Sequence, residues 1–338
     1  RSQDYCGLSC VAPYSVTVVM ESNSDEKLDD DDDDDDVNHK ASADRCSEGP
    51  RTALEKAKAL REEMPSALAK MYGDSEGRDW WDDHEDLFEA ARIEYGMLHP
   101  HIYRFDFLRW LQPDVARALT DGSAEALQSV LTPACRDSIG YTVYLLHLFT
   151  DEFCDLLLEE LDHLERSQIP LRRPNGMNRY GAILSHLGFQ KGLLQPLMAQ
   201  VVKPFARMLW PQWVSETDCD ETYGFVVRYR IGEDVDLAEH ADTSNVTFNV
   251  CLGREFQGGD LYFKGVRFTD SSNDTKSHNV GHRKGVAVLH LGGHFHGVIP
   301  ITSGDRSNLV LWGTGDGGFV RIRADDSQHS QIMYRKEM

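Results

Sequence analysis

Between Phe225 and Trp312 glycine cuts the chain into short β-rich runs, and a chain divided in this way buries its apolar residues by stacking sheets. The runs are Phe225 to Tyr229, Asn245 to Leu252 alternating about Val246, Phe248 and Val250, Gly259 to Phe263, Gly285 to Leu291, and Leu309 to Trp312. Gly253, Gly258, Gly259, Gly265, Gly285, Gly292, Gly293, Gly304 and Gly313 stand at the turns. The pattern predicts a mainly β core of sandwich or jelly-roll type.

Within this stretch lies Glu239-His240-Ala241-Asp242, followed later by His296 and, ten residues beyond it, Arg306. Two neutral imidazoles and one carboxylate on one face of an octahedral ion leave three positions open, the arrangement that suits non-haem Fe(II). His-x-Asp alone is a weak signal, and its place among the strands gives it weight. For the third ligand His290, His294 and His296 are all candidates, and His294 and His296 share one face of an extended strand. An arginine supplies a permanently charged fork for a carboxylate. Arg306 is the first candidate, with Arg228, Arg230 and Arg321 behind it. The plainer alternative puts Arg306 in a turn, Gly304-Asp305-Arg306-Ser307, paired with Asp305 or solvent. Thr247 and Asn249 are further polar candidates, placed by alternation opposite the apolar face of their strand.

The run Phe225-Val226-Val227-Arg228-Tyr229, then His240-Ala241-Asp242, Thr247-Phe248-Asn249-Val250, Gly258-Gly259-Asp260-Leu261-Tyr262-Phe263 and His296-Gly297, resembles the catalytic domain of 2-oxoglutarate- and iron-dependent oxygenases. The resemblance is nearest to the group of 2-oxoglutarate and iron-dependent oxygenase domain-containing protein 2, with procollagen lysyl and prolyl 4-hydroxylases more distant. It is read over roughly Tyr144 to Trp312, and Arg172 to Gly181 adds to it. It implies a double-stranded β-helix with Fe(II) at His240, Asp242 and His296, and 2-oxoglutarate held by Arg306. It also implies O2 as oxidant, ascorbate to recover oxidised iron, succinate and CO2 as co-products, and hydroxylation of a C–H bond in an unidentified substrate, possibly a protein. By the same resemblance Tyr229 helps bind the distal carboxylate of 2-oxoglutarate; the alternative for Tyr229 is core packing with a hydrogen-bonded hydroxyl. A catalytically silent β-sandwich module that retains the metal site is the second functional reading. A metal-dependent hydrolase is disfavoured, because no general-base glutamate accompanies the ligands.

The chain of 338 residues carries a formal charge of −21, of which the run Asp29 to Asp36 contributes eight. Such acidity disfavours direct binding to a nucleic-acid backbone. Seven scattered cysteines do not form a secreted disulfide framework, so reduced thiols and an intracellular setting are favoured. Cys6 and Cys10 read as ordinary thiols rather than half of a zinc site. No apolar run reaches the ~20 residues of a membrane span.

Residues 1–21 hold a candidate strand, Tyr14 to Met20, and residues 22–50 read as a disordered acidic linker. Residues 51–139 read as a helical N-terminal module: Thr52 to Met64 stopped by Pro65, His84 to Tyr95, Asp114 to Thr120 and Ala124 to Leu131. The dioxygenase domain is expected over 140–322, opening on a strand at Tyr141 to Leu145, with 323–338 as a tail. Flanking helices follow, one capped by Thr150 with Phe153, Leu156, Leu157, Leu161 and Leu164 at helical spacing, and one near Pro196 kinked or divided at Pro204. Asn175 to Tyr180 reads either as a loop at the mouth of the site or as a surface turn. Asp270 to Lys284, long and polar, reads as a lid or a disordered loop.

Overall fold

The alternating, glycine-punctuated runs form two antiparallel sheets in the computed structural model, which describes residues 52–70, 80–81, 83–214, 219, 221–314, 321–322 and 332–333. The strands are β1 (Leu131–Arg136), β2 (Thr142–His147), β3 (Gly181–Ile183), β4 (Glu221–Arg230), β5 (Leu237–His240), β6 (Val246–Gly253) and β7 (Phe256–Gly258). They continue with β8 (Leu261–Val266), β9 (His278–Val280), β10 (Val286–Leu291), β11 (His294–Val298) and β12 (Ile301–Thr314). Among the described residues the larger sheet runs β1-β2-β10-β6-β12-β4-β3, with β7 paired to β12, and the smaller runs β5-β11-β8-β9. From β4 to β12 the chain passes back and forth between the two sheets, the jelly-roll pattern expected from the turns. The candidate strand Tyr14 to Met20, the acidic linker and Cys6 and Cys10 lie outside the described residues, as does most of 323–338.

Period-two alternation gives the larger sheet two unlike faces. Val246, Phe248, Val250 and Leu252 of β6, with Leu289 of β10 and Leu309 and Leu311 of β12, pack outward against helices. The opposite face points at the smaller sheet: Phe225, Val227 and Tyr229 of β4 and Val310 of β12 meet Leu261, Phe263 and Val298. On that face β6 presents Thr247 and Asn249, and β12 presents Arg306 and Asn308, all buried. The interior is therefore part apolar and part polar.

Helix Asp151–Arg166 covers the outward face; Thr150 accepts from the Phe153 N–H, and Phe153, Leu157 and Leu164 are buried. The chain from Gln190 to Leu209 is helical with two widened π-type segments, Gln190–Leu194 and Met198–Val202, each directly before a segment whose first turn carries a proline, Pro196 or Pro204. Wider turns accommodate a residue that lacks a donor and whose ring crowds the preceding turn. The expected break at Pro204 takes this form.

Three expectations need correction. The first helix does not stop at Pro65 but runs Ala53–Lys70. Leu131 begins a strand instead of ending a helix: β1 adds to the edge of the larger sheet, and its register slips between Pro133 and Cys135, a bulge that hides the alternation. Asp270 to Lys284 is neither lid nor loose loop. It holds the turn Asp270–Asn273 and β9, the Ser271 hydroxyl donates to Asp137 at 2.5 Å, and Ser138 binds Asp274 through its N–H and hydroxyl at 3.0 and 2.7 Å.

The turn after β10 fixes the loop after β5. The Asp242 N–H donates to the Gly292 carbonyl at 2.8 Å, and the Gly292 N–H donates to the Asn245 carbonyl at 3.0 Å. A Cβ on Gly292 would lie 1.9 Å from the Ser244 carbonyl oxygen, so only glycine permits this approach. Gly292→Ala is expected to cost about 1–3 kcal/mol of stability or more, since the obstacle is backbone rather than a movable side chain. Urea denaturation checks this; an unchanged midpoint would show that the 242–245 loop yields freely.

Candidate functional site

His240 ends β5 and His296 sits opposite it in register on β11, with ring centroids 4.3 Å apart. Asp242 lies two residues beyond β5, in the loop held by Gly292. Its Oδ1 is 3.4 Å from His240 Nε2 and 3.8 Å from His296 Nε2. Among the described residues these three form the one group of metal-ligating side chains, with ligand atoms all within 4.8 Å of one another.

The hydrogen bonds around the group fit it for a cation. His240 Nδ1 is 2.9 Å from the Ala238 carbonyl and His296 Nδ1 is 2.9 Å from the His294 carbonyl. A carbonyl only accepts, so each Nδ1 carries the proton and each Nε2 turns a lone pair toward Asp242. The Thr247 hydroxyl donates to Asp242 Oδ2 at 2.6 Å and is itself 2.8 Å from the Ser244 hydroxyl, leaving Oδ1 to the imidazoles. Burial opposes ionisation of Asp242, but the surrounding imidazoles of His296, His240 and His290 outweigh it and hold the carboxyl well below the usual range. Burial pushes the pKa of His296 down to about 4, so that imidazole is neutral near pH 7. For His240 burial is outweighed by the neighbouring Asp242 carboxylate, which favours a proton on Nε2, and its pKa is raised. Two imidazoles and a carboxylate with their lone pairs converging suit a divalent transition metal.

His290 and His294 have other places. His294 and His296 are both buried beside Phe263 and His290, on one side of the strand as alternation indicates, but only His296 joins the group with His240 and Asp242. His294 is buried edge-on to Phe263, 6.1 Å between centroids. His290 lies behind Asp242, its Nε2 4.0 Å from Oδ2.

On the other side of the interior, Arg306 and Tyr229 are register partners on β12 and β4, and the guanidinium carbon lies 5.6 Å from the Tyr229 ring centroid. The turn alternative for Arg306 is overturned. The strand begins at Ile301, Arg306 is fully buried, and Asp305 points the other way to pair with Arg230. Arg228 is engaged by Glu165 and Glu233, and the side chain of Arg321 lies outside the described residues. Arg306 donates to Asn308 Oδ1 at 3.0 Å, to the Gly259 carbonyl and to His282 Nδ1 at 3.0 Å, all neutral acceptors. Among the described residues no carboxylate forms an ion pair with it.

A narrow cavity of about 30 Å³ joins the two halves, lined by His240, Asp242, His296, Thr247, Asn249, Tyr229, Asn175, Asn178 and the apolar side chains Phe225, Val227, Leu237, Leu261, Val298, Val310 and Trp312. The 175–180 loop thus contributes to the site, and Asn178 donates to the Tyr229 hydroxyl at 3.3 Å. Arg306 lies behind this lining rather than in it. A larger cavity, about 370 Å³ under helix Asp151–Arg166, contains none of the three ligands. Sequence reasoning missed Asn308 and His282. Alternation from Leu309 would have placed Asn308 inward, whereas His282 lies in a segment without periodicity.

A jelly-roll interior carrying two histidines and an aspartate beside a buried arginine has the layout of the iron- and 2-oxoglutarate-dependent oxygenases. Residues 92–215 match the family OGFOD2-like domain. The chain is similar to 2-oxoglutarate and iron-dependent oxygenase domain-containing protein 2 of Xenopus tropicalis, 44% identical over 50% of this chain and 48% of the relative. It is likewise similar to the oxygenase domain-containing protein ICU11 of Arabidopsis thaliana, 35% identical over 68% of this chain and 58% of the relative. The chain therefore spans about half the length of the curated relatives it matches. Procollagen lysine hydroxylase and glycosyltransferase LH3 of Rattus norvegicus is more distant, 29% identical over 66% of this chain and 30% of that protein.

Thr247→Val keeps the shape of the side chain and leaves buried Asp242 Oδ2 without its donor. It is expected to cost about 1–3 kcal/mol of stability, with Thr247→Ser close to the parent. Chemical denaturation of the two variants checks it, and equal stability for valine and serine would show that the hydroxyl is not a partner of the carboxylate.

Proposed function

We propose that the chain is an Fe(II)- and 2-oxoglutarate-dependent dioxygenase that hydroxylates a C–H bond of an organic substrate, giving succinate and CO2 as co-products. The observation that carries this is the pairing, in one interior, of a convergent His240–Asp242–His296 group with a buried arginine that has no carboxylate partner among the described residues. A metal triad alone serves many reactions. The added cation calls for an anionic co-substrate.

His240, Asp242 and His296 would hold the iron, which supplies O2 activation coupled to oxidative decarboxylation of the 2-oxo acid. Asp242, ionised and oriented by Thr247, supplies the one anionic ligand; the Nδ1 bonds to Ala238 and His294 keep both imidazoles in the binding tautomer. Arg306, with the Tyr229 hydroxyl beside it, would bind the distal carboxylate. Phe225, Val227, Leu261 and Val310 make that region apolar, which strengthens the ionic contact by excluding water. A five-carbon diacid exceeds the cavity, so side chains of its lining, among them Asn178 with its bond to the Tyr229 hydroxyl, would shift on its entry. Similarity to procollagen hydroxylases supports ascorbate as the reductant that returns oxidised iron to the ferrous state. The prime substrate is unidentified, and a protein side chain is the class that those relatives suggest. The acidity of the chain argues against a nucleic acid.

Calorimetry with Mn(II) in place of iron, then with 2-oxoglutarate, tests the parts separately. His240→Ala or Asp242→Ala should abolish Mn(II) binding and succinate formation; both retaining full turnover would dismiss the triad. Arg306→Ala should keep Mn(II) affinity and weaken 2-oxoglutarate by on the order of 2–5 kcal/mol, roughly 30- to several-thousand-fold, with Arg306→Lys intermediate. Variants that bind 2-oxoglutarate within a few-fold of the parent would remove Arg306 from the site. Succinate absent from aerobic protein that binds both metal and 2-oxoglutarate would leave a silent binding module.

A further inference from the structure

The Arg306 guanidinium is fixed from three directions. Nε donates to Asn308 Oδ1, Nη1 to the Gly259 carbonyl and Nη2 to His282 Nδ1. Arg306 at 3.0 Å and the Asn308 amide nitrogen at 3.2 Å both offer hydrogens to His282 Nδ1, so Nδ1 is the acceptor and the proton of the neutral ring sits on Nε2, where it reaches the Val286 carbonyl at 2.9 Å; the Cys251 N–H, 3.2 Å from Nε2, is the more distant neighbour there and is not accepted by the protonated nitrogen. The same logic orients Asn308: its oxygen faces Arg306, and its amide nitrogen donates to Asn249 Oδ1 at 2.5 Å, with His282 Nδ1 at 3.2 Å. These three bonds leave one N–H free on each terminal nitrogen of the fork.

We propose that His282 is a positioning residue for the co-substrate anchor: its unprotonated Nδ1 takes one Nη2 hydrogen and so sets the plane in which the Arg306 fork meets a carboxylate. This rests on the reading of Arg306 given above. Two features favour a role beyond filling space. His282 comes from the connection between β9 of the smaller sheet and β10 of the larger one, so it ties the arginine to both layers. It is also a neutral acceptor. A carboxylate in its place would pair with the guanidinium and cancel the charge that a dianion needs. Burial, and next to it the charge of Arg306, push the His282 pKa down to about 3, so the ring stays an acceptor throughout the physiological range.

Two amide substitutions separate positioning from packing. His282→Asn puts an oxygen where Nδ1 was and gives up the Nε2 side; His282→Gln keeps an N–H near Nε2 and loses the acceptor at Nδ1; His282→Leu loses both. Mn(II)-loaded protein titrated with 2-oxoglutarate should show affinity within about threefold of the parent for asparagine, and roughly 10- to 100-fold weaker for glutamine and leucine. Mn(II) affinity should be the same in all, with thermal midpoints recorded alongside. A purely structural role predicts no advantage of asparagine over glutamine. Equal affinities across the set, equal losses for asparagine and glutamine, the reverse order, or loss of the fold in the asparagine variant would each overturn the assignment. A parent that binds Mn(II) but no 2-oxoglutarate would instead sink the co-substrate reading, and the role of His282 with it.

Discussion

The structure depends on one constraint: strands of the larger sheet must show leucine and valine to the helices on one face and something else to the second sheet. Because alternation along a strand is strict, choosing Val246, Phe248 and Val250 for the helix side commits Thr247 and Asn249 to the interior. Leu309 and Leu311 commit Arg306 and Asn308 in the same way. The polar interior is thus the reverse side of the hydrophobic core, and register along β6 and β12 is held by burial on the outward face. A slip of one residue would bury a guanidinium under the helices, so the site inherits its precision from apolar packing it never touches.

Charge inside this interior is uneven. Asp242 is surrounded by groups that favour its ionised form, while Arg306 is surrounded by neutral acceptors that orient it without neutralising it. A buried cation without an anion is costly to fold, and such a cost persists where the missing partner is a ligand. The carboxylate belongs to the lining of the narrow cavity, half polar and half apolar, and the guanidinium lies behind that lining, so the two charges face the interior from different places.

Much of this was legible in the sequence, for identifiable reasons. The strands carrying Phe225 to Tyr229, Asn245 to Leu252 and Gly285 to Leu291 announce themselves by alternation and bounding glycines, and His240 and Asp242 by their spacing at the end of such a series. Arg306 was harder to read. Gly304 and Asp305 look like a turn, and only the ladder with Tyr229 shows that the strand passes through them. The 270–284 segment was misread because hydrogen bonds to Asp137 and Ser138, more than 130 positions away, hold it, and no local pattern records partners so distant. His282 was hidden for the same reason. Periodicity likewise does not choose between His294 and His296, since both are buried beside Phe263 on one side of the strand.

β5 is only four residues long and lies at the outer edge of the smaller sheet, yet it carries His240, while its partner β11 carries His296. An ion shared by the two rings would be a cross-strand clasp on an element with few other attachments. Fraying of that edge and release of the ion then become one linked equilibrium. Amide exchange along Leu237–His240 should report how full the site is, with no reference to turnover.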